Sequence, residues 1–271
     1  MNKTSANNFT PTILLPEPDD PIIAEYVALL APKNTGLKIQ AKKVSLEESA
    51  ELLNAVHVDA VVVGATYTSK EVFLTAIHKI GAANKDASSF FAMEKPGERT
   101  LYMADCAVNP DPDNVLLARI AEQTCANVKR LGEEPVVAFI SYSTAGSAGG
   151  HSVEKVQAAV DEFKQKHPDI PAYGEIQWDA ATNEQIFKKK NKGEGYKDNK
   201  KPNVFIFPNL DTGNTVYKAL EWPGGYTAIG PLIQGLDNDA QFHDLSRGVT
   251  SQALEKICDT VAKLVKAKHN E

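Results

Sequence analysis

Cysteine is scarce: Cys106, Cys125 and Cys258 are the only three, widely spaced, odd in number and in no CxxC pair. That excludes a disulfide framework and a cysteine-held zinc site, and it fits a reducing cytoplasm. The six histidines form no HxxxH or HxH pair, so no metal is expected. No apolar run approaches the roughly 20 residues that would span a membrane, and residues 1–8 hold no apolar signal core. Basic charge is also short. Lys and Arg number 29 against 35 Asp and Glu, a formal net charge of −6, which disfavours a nucleic-acid duplex or an anionic membrane surface as the main partner. The chain has no Gly-Lys-Ser/Thr ending of a P-loop, no dinucleotide fingerprint and no G-x-S-x-G elbow. Neither a nucleoside triphosphate, NAD nor serine hydrolysis is indicated.

What is present is an alternation of short buried strands and amphipathic helices. Residues 12–15, 59–65, 135–142 and 203–208 are apolar runs without polar alternation, the pattern of strands covered on both faces. Residues 37–44 read as a weaker strand and 228–232 as a short last one. Helices are expected over 22–30, 69–80, 113–131, from about 152, from 213, and over 254–268. Ser45 with Glu48 has the spacing of a capping box. Residues 88–93 and 99–104 look like two strands joined by the turn Glu94-Lys95-Pro96-Gly97, a hairpin or edge element. Together these predict an α/β protein with sheets covered on both faces.

Ser141 to Gly150 puts four serine and threonine hydroxyls and three glycines between a buried strand and a helix start, a combination that can receive an anion. Ser143, Thr144, Gly146 and Ser147 are its candidate anion ligands. In Gly174 to Ala181, Trp178 reads as a core anchor or a ligand platform, and Asp179 as a substrate-positioning group or a helix cap. Asn209, Asp211 and Asn214 follow a buried strand, where open α/β folds bind ligands and where caps and turns also occur. The lysines between 188 and 201 read as a solvated loop, or as a partner for a phosphate-rich cofactor. Near the C-terminus, Asp244-Leu245-Ser246-Arg247-Gly248 sets a hydroxyl beside a guanidinium. That pair suits an oxyanion or a phosphate, or else the arginine forms a surface ion pair with the aspartate.

In this order, residues 104–110, 141–148, 174–181, 203–208, Gly213-Asn214 with Tyr217-Lys218, Gly230-Pro231 with Gln234-Gly235-Leu236, and 244–248 resemble the phosphate acetyltransferase (phosphotransacetylase) and phosphate acetyl-butyryl transferase family. The resemblance covers roughly residues 59–250. It implies a two-domain αβα sandwich with mostly parallel sheets, like isocitrate and isopropylmalate dehydrogenases. Residues 1–86 with 239–271 would form one domain and 87–238 the other, with the active site in the cleft between them. It implies a cytoplasmic homodimer that moves an acetyl group between acetyl phosphate and coenzyme A. CoA, acyl phosphate and phosphate would be substrates, with no bound cofactor. By the same resemblance Ser246 stabilises the oxyanion and Arg247 holds the phosphate, with Ser143, Thr144, Gly146, Ser147, Asp179, Asn214 and Gln234 around the substrates.

Three departures from the family pattern stand out. Ala253 occupies the position of its usual aspartate base, Leu74 falls where it carries an arginine, and the N-terminal region is shorter by tens of residues. These leave two other expectations open, a binding relative with weakened or lost catalysis and a transferase for a longer acyl group.

Overall fold

The computed structural model describes residues 9–34, 36–82, 86–245 and 249–271. Chain contacts divide it into two compact units, Met1–Ile80 with Ala240–Glu271, and Gly81–Asp239. Both are α/β, and most of their strand pairings are parallel.

The first unit is built on β1 (Thr12–Leu15), β2 (Lys38–Ala41), β3 (Ala60–Val63) and β10 (Gln241–Asp244), in the order β10-β3-β1-β2 and all parallel. The apolar runs of β1 and β3 at its centre are buried, as their lack of alternation predicts. β10 was not legible: Gln241 and His243 are polar, yet they are buried and bond each other, Nε2 to Oε1 at 3.1 Å. Helices α1 (Pro21–Leu29), α2 (Leu46–Asn54), α3 (Ser69–Thr75) and α9 (Ser251–His269) complete the unit. The single helix expected over 69–80 becomes α3 followed by a π-helical turn, Ala76–Ile80. Ser45 caps α2 through the Glu48 N–H, while Glu48 pairs with Lys42. The reciprocal capping box forms instead at Thr68 and Glu71, at the start of α3.

The second unit holds β4 (Ser88–Glu94), β5 (Leu101–Ala104), α4 (Asn114–Arg130), β6 (Val137–Ile140), α5 (His151–Lys166), β7 (Ala172–Ile176), α6 (Trp178–Thr182), α7 (Glu184–Lys190), β8 (Val204–Ile206), α8 (Leu210–Glu221) and β9 (Thr227–Gln234). Its six strands run β7-β6-β8-β5-β4-β9. β4 and β5 form the expected antiparallel hairpin, but it is internal, because β9 pairs on the outer side of β4 and takes the edge. Trp178 packs its ring 4.9 Å from that of Phe205, and Tyr217 stacks on Phe91 at 4.2 Å, so both aromatics belong to the core. Part of the expected lysine-rich loop is helical, since Lys188, Lys189 and Lys190 form the last turn of α7. There their charge complements the helix dipole.

Candidate functional site

β6 delivers the chain to the Ser141–Gly150 loop, and β7 lies beside β6 in parallel, so the loop and the segment after β7 emerge at the same end of the sheet. The loop is shaped from within by a residue of the Gly174–Ala181 stretch to which the sequence reading assigns no role. Glu175, near the end of β7 and only 6% exposed, accepts from Gly146 N–H at 2.7 Å and from the Ser143 hydroxyl at 2.9 Å through Oε1. Its Oε2 accepts from Gln157 Nε2 at 2.9 Å. Burial works to raise this carboxyl, but hydrogen bonds from Gly146, Gln157 and Ser143 outweigh it and hold Glu175 below the usual carboxylate range.

Four of the expected ligands therefore divide into two kinds. Ser143 and Thr144 are buried, and their hydroxyls bond inside the protein, Ser143 to Glu175 and Thr144 to Gln177 Oε1 at 3.1 Å. Gly146 gives its N–H to Glu175. Ser147 is different. It is exposed; its Oγ accepts from Thr144 N–H at 3.0 Å and lies 3.5 Å from the Ser143 Oγ. Just beyond it, α5 starts at a Gly150 N-cap with φ 122°, and no side chain caps that helix end.

A second cluster joins this loop to α7. Gln177 N–H donates to Thr144 Oγ1 at 2.9 Å, and Lys190 Nζ donates to Gln177 Oε1 at 2.9 Å and to both oxygens of Asp179 at 2.8 and 2.7 Å. The Lys190 ammonium holds the Asp179 carboxyl below the usual range. Asp179 is thus ion-paired in the first turn of α6 rather than acting as its N-cap, which is Gln177. Along β7 runs a groove of about 510 Å³, with Thr144 and Ala145 at one end and Lys164, Tyr173 and Lys197 among its walls.

The remaining candidates sit apart from this cluster. Asn214 donates to the Cys106 carbonyl at 3.2 Å, tying α8 to the segment after β5, and Asn209 caps α8 through the Thr212 N–H. That segment is organised by buried Asp105, which accepts from Ser89 Oγ and from the N–H groups of Ala107, Val108 and Asn109. A side chain at Gly213 would collide with the Asp105 carbonyl, which explains the glycine. Gln234 is buried and bonds Ser88, Thr124 and Asn127. Ser246 and Arg247 lie outside the described residues. Asp244 is not a surface residue: it ends β10, 1% exposed. Ala253 sits in the first turn of α9, which Thr250 caps, and Leu74 is exposed on α3. Burial pushes the Cys125 and Cys258 thiols up to about 12 and Cys106 well above its ordinary value, so none is a poised thiolate. No group of metal-binding side chains occurs among the described residues.

The loop residues, Gln177 and Asp179, Asn214 beside the Asp105 segment, and Gln234 all stand in the region that one known family matches. The profile described as phosphate acetyl/butaryl transferase matches residues 10–262. A phosphate acetyltransferase from Mycoplasma pneumoniae is 41% identical over 205 residues, which is 74% of this chain and 62% of that protein. The chain spans less than two thirds of the length of the first curated relatives it matches. Among solved structures, the EutD phosphotransacetylase from Staphylococcus aureus superposes with a TM-score of 0.79 at 26% identity, covering 95% of this chain and 94% of that one. A terephthalate 1,2-cis-dihydrodioldehydrogenase from Burkholderia xenovorans LB400 superposes with a TM-score of 0.58 at 13% identity, covering 94% of this chain and 98% of that one, and so shares the fold. With the profile matching nearly its whole length, the chain belongs to the phosphate acetyl/butaryl transferase family.

Proposed function

We propose that the protein transfers an acetyl group between acetyl phosphate and coenzyme A. Family membership across residues 10–262 is the observation that carries this reading. In the forward step the CoA sulfur attacks the acyl carbonyl carbon, an oxyanion forms on the carbonyl oxygen, and the carbon–oxygen bond to phosphate breaks as inorganic phosphate leaves. The thiol proton passes to solvent or to a nearby base. Because the chain's own cysteines are buried and held protonated, the sulfur nucleophile is the substrate's.

Ser147 and the uncapped start of α5 supply outward donors for an oxygen of the acyl phosphate, with Thr144 and Gln177 fixing the loop behind them. By family resemblance Ser246 meets the oxyanion and Arg247 the phosphate. The groove walled by Lys164 and Lys197 suits the phosphate-bearing end of CoA. No described helix is long and apolar enough to cross a membrane. The three free cysteines support a cytoplasmic setting, and the family resemblance supports a homodimer. Mixing the protein with acetyl phosphate and CoA should produce thioester absorbance. Folded protein with no turnover above background would sink the proposal.

Leu74 and Ala253 favour a second reading, in which the protein binds these substrates and turns them over slowly or not at all. Losing a general base typically costs about 10² to 10⁴ in rate. Ala253→Asp combined with Leu74→Arg would then raise turnover from near zero. A native rate equal to that of the double variant excludes this reading. A panel of longer acyl phosphates in the same assay decides chain length.

A further inference from the structure

Turns of backbone N–H groups at the ends of parallel strands are receptors for anions. The Ser143–Gly146 turn has this form, yet its inward donors already hold an anion, the carboxylate of Glu175. A glutamine would satisfy Gly146 N–H and the Ser143 hydroxyl equally well, since its amide oxygen accepts both. What glutamate adds is a full negative charge inside the loop, kept there by three donors, Ser143, Gly146 and Gln157, drawn from the loop and from α5. One hydroxyl separates that charge from the exposed Ser147: Ser143 Oγ donates to Glu175 at 2.9 Å and lies 3.5 Å from Ser147 Oγ.

We propose that Glu175 is a positioning and specificity-determining residue, which fixes the Ser143–Gly146 turn and uses its charge to keep phosphate weakly held there. Its bonds leave only the outer rim of the loop for substrate. Its charge opposes a phosphate dianion at that rim more strongly than a neutral acyl carbonyl. A site that must release phosphate after each turnover gains from this bias, because tight product binding would slow the cycle. The proposal rests on the acyl-transfer reading for its consequence in turnover, but not for the charge effect itself.

The test is calorimetric titration of inorganic phosphate into the native protein, Glu175→Gln and Glu175→Ala, with a melting curve to establish that each is folded. A unit charge and a dianion about 6 Å apart in a water-like dielectric alter affinity by about tenfold. Glu175→Gln should therefore bind phosphate about tenfold more tightly than the native protein, and Glu175→Ala less tightly than Glu175→Gln, because its loop loses the anchor. In the thioester assay Glu175→Gln should lower KM for acetyl phosphate and strengthen inhibition by phosphate. Equal or weaker phosphate binding by Glu175→Gln, or no binding by any of the three proteins, overturns the proposal. If the affinity order holds while no protein makes thioester, the charge effect stands and the acyl-transfer reading falls. If thioester forms without that order, the acyl-transfer reading stands and the charge effect falls.

Discussion

The two units solve one problem in different ways. Each ends a buried parallel strand in a turn whose N–H groups point inward, and each fills that turn with its own glutamate. In the first unit Glu17 accepts from the N–H groups of Gly64, Ala65 and Thr66, at 2.7, 3.0 and 2.6 Å, and also from the Thr66 hydroxyl. In the second, Glu175 takes one backbone N–H of its turn and one hydroxyl, and Ser147 remains exposed beyond it. The number of donors taken separates a closed structural joint from a loop with an open rim.

The largest effect that bears on this contrast is expected at Glu17. Glu17→Ala leaves three N–H groups without their acceptor, at a cost of about 3 kcal/mol or more in denaturant unfolding. Glu17→Gln, which still accepts, should lose clearly less. Acid should next distinguish the units. His243 lies wholly buried in β10, and desolvation pulls its pKa down to about 3 from 6.5. The unfolded chain therefore takes up a proton below pH 6.5 that the folded chain refuses, and stability falls as pH drops toward 3. The slope approaches about 1.4 kcal/mol per pH unit. Glu175 acts in a lower window. Its folded value is depressed below the ordinary 4.5, so its contribution is present above that pH and fades as pH falls further. His243→Gln should flatten the stability profile between pH 4.5 and 6.5, whereas Glu175→Gln should alter it only below that window. An unchanged profile in His243→Gln would remove the first unit's acid weakness.

Glu175→Ala should cost about 1–2 kcal/mol, less than Glu17→Ala, because its partners sit in a loop that water reaches. Equal losses at the two sites would erase the contrast. The smallest effect is expected from Lys190→Ala, about 0.5 kcal/mol for a partly exposed pair.

The reasons why some features were readable and others were not are physical. β3, β6 and β8 announce themselves because both faces of each are buried and no polar residue interrupts the run. α4 and α9 keep a helical apolar stripe over several turns, which outweighs local propensity. β7 is an edge strand containing Gly174 and Glu175, so its composition carries no strand signal. β10 hides its burial because Gln241 and His243 satisfy one another across two residues, a pairing that residue type alone does not disclose. The Ser141–Gly150 loop was legible as a receptor, but its occupant was not, since Glu175 comes from 25 or more residues further along the chain. Asn214 and Gln234 show the opposite limit. As residue types they suit a ligand, yet the structure uses one to tie a helix to a loop and the other inside a buried polar network.

β3 and β10 are hydrogen-bonded neighbours, although the whole of Gly81–Asp239 separates them in sequence. On a ribosome the second unit is therefore complete before the first receives its outermost strand. β1, β2 and β3 must wait with one side of β3 unpaired until residues 241–244 emerge. Unpaired strand edges invite association between chains. During synthesis, the first unit is the part of this protein that most needs a chaperone.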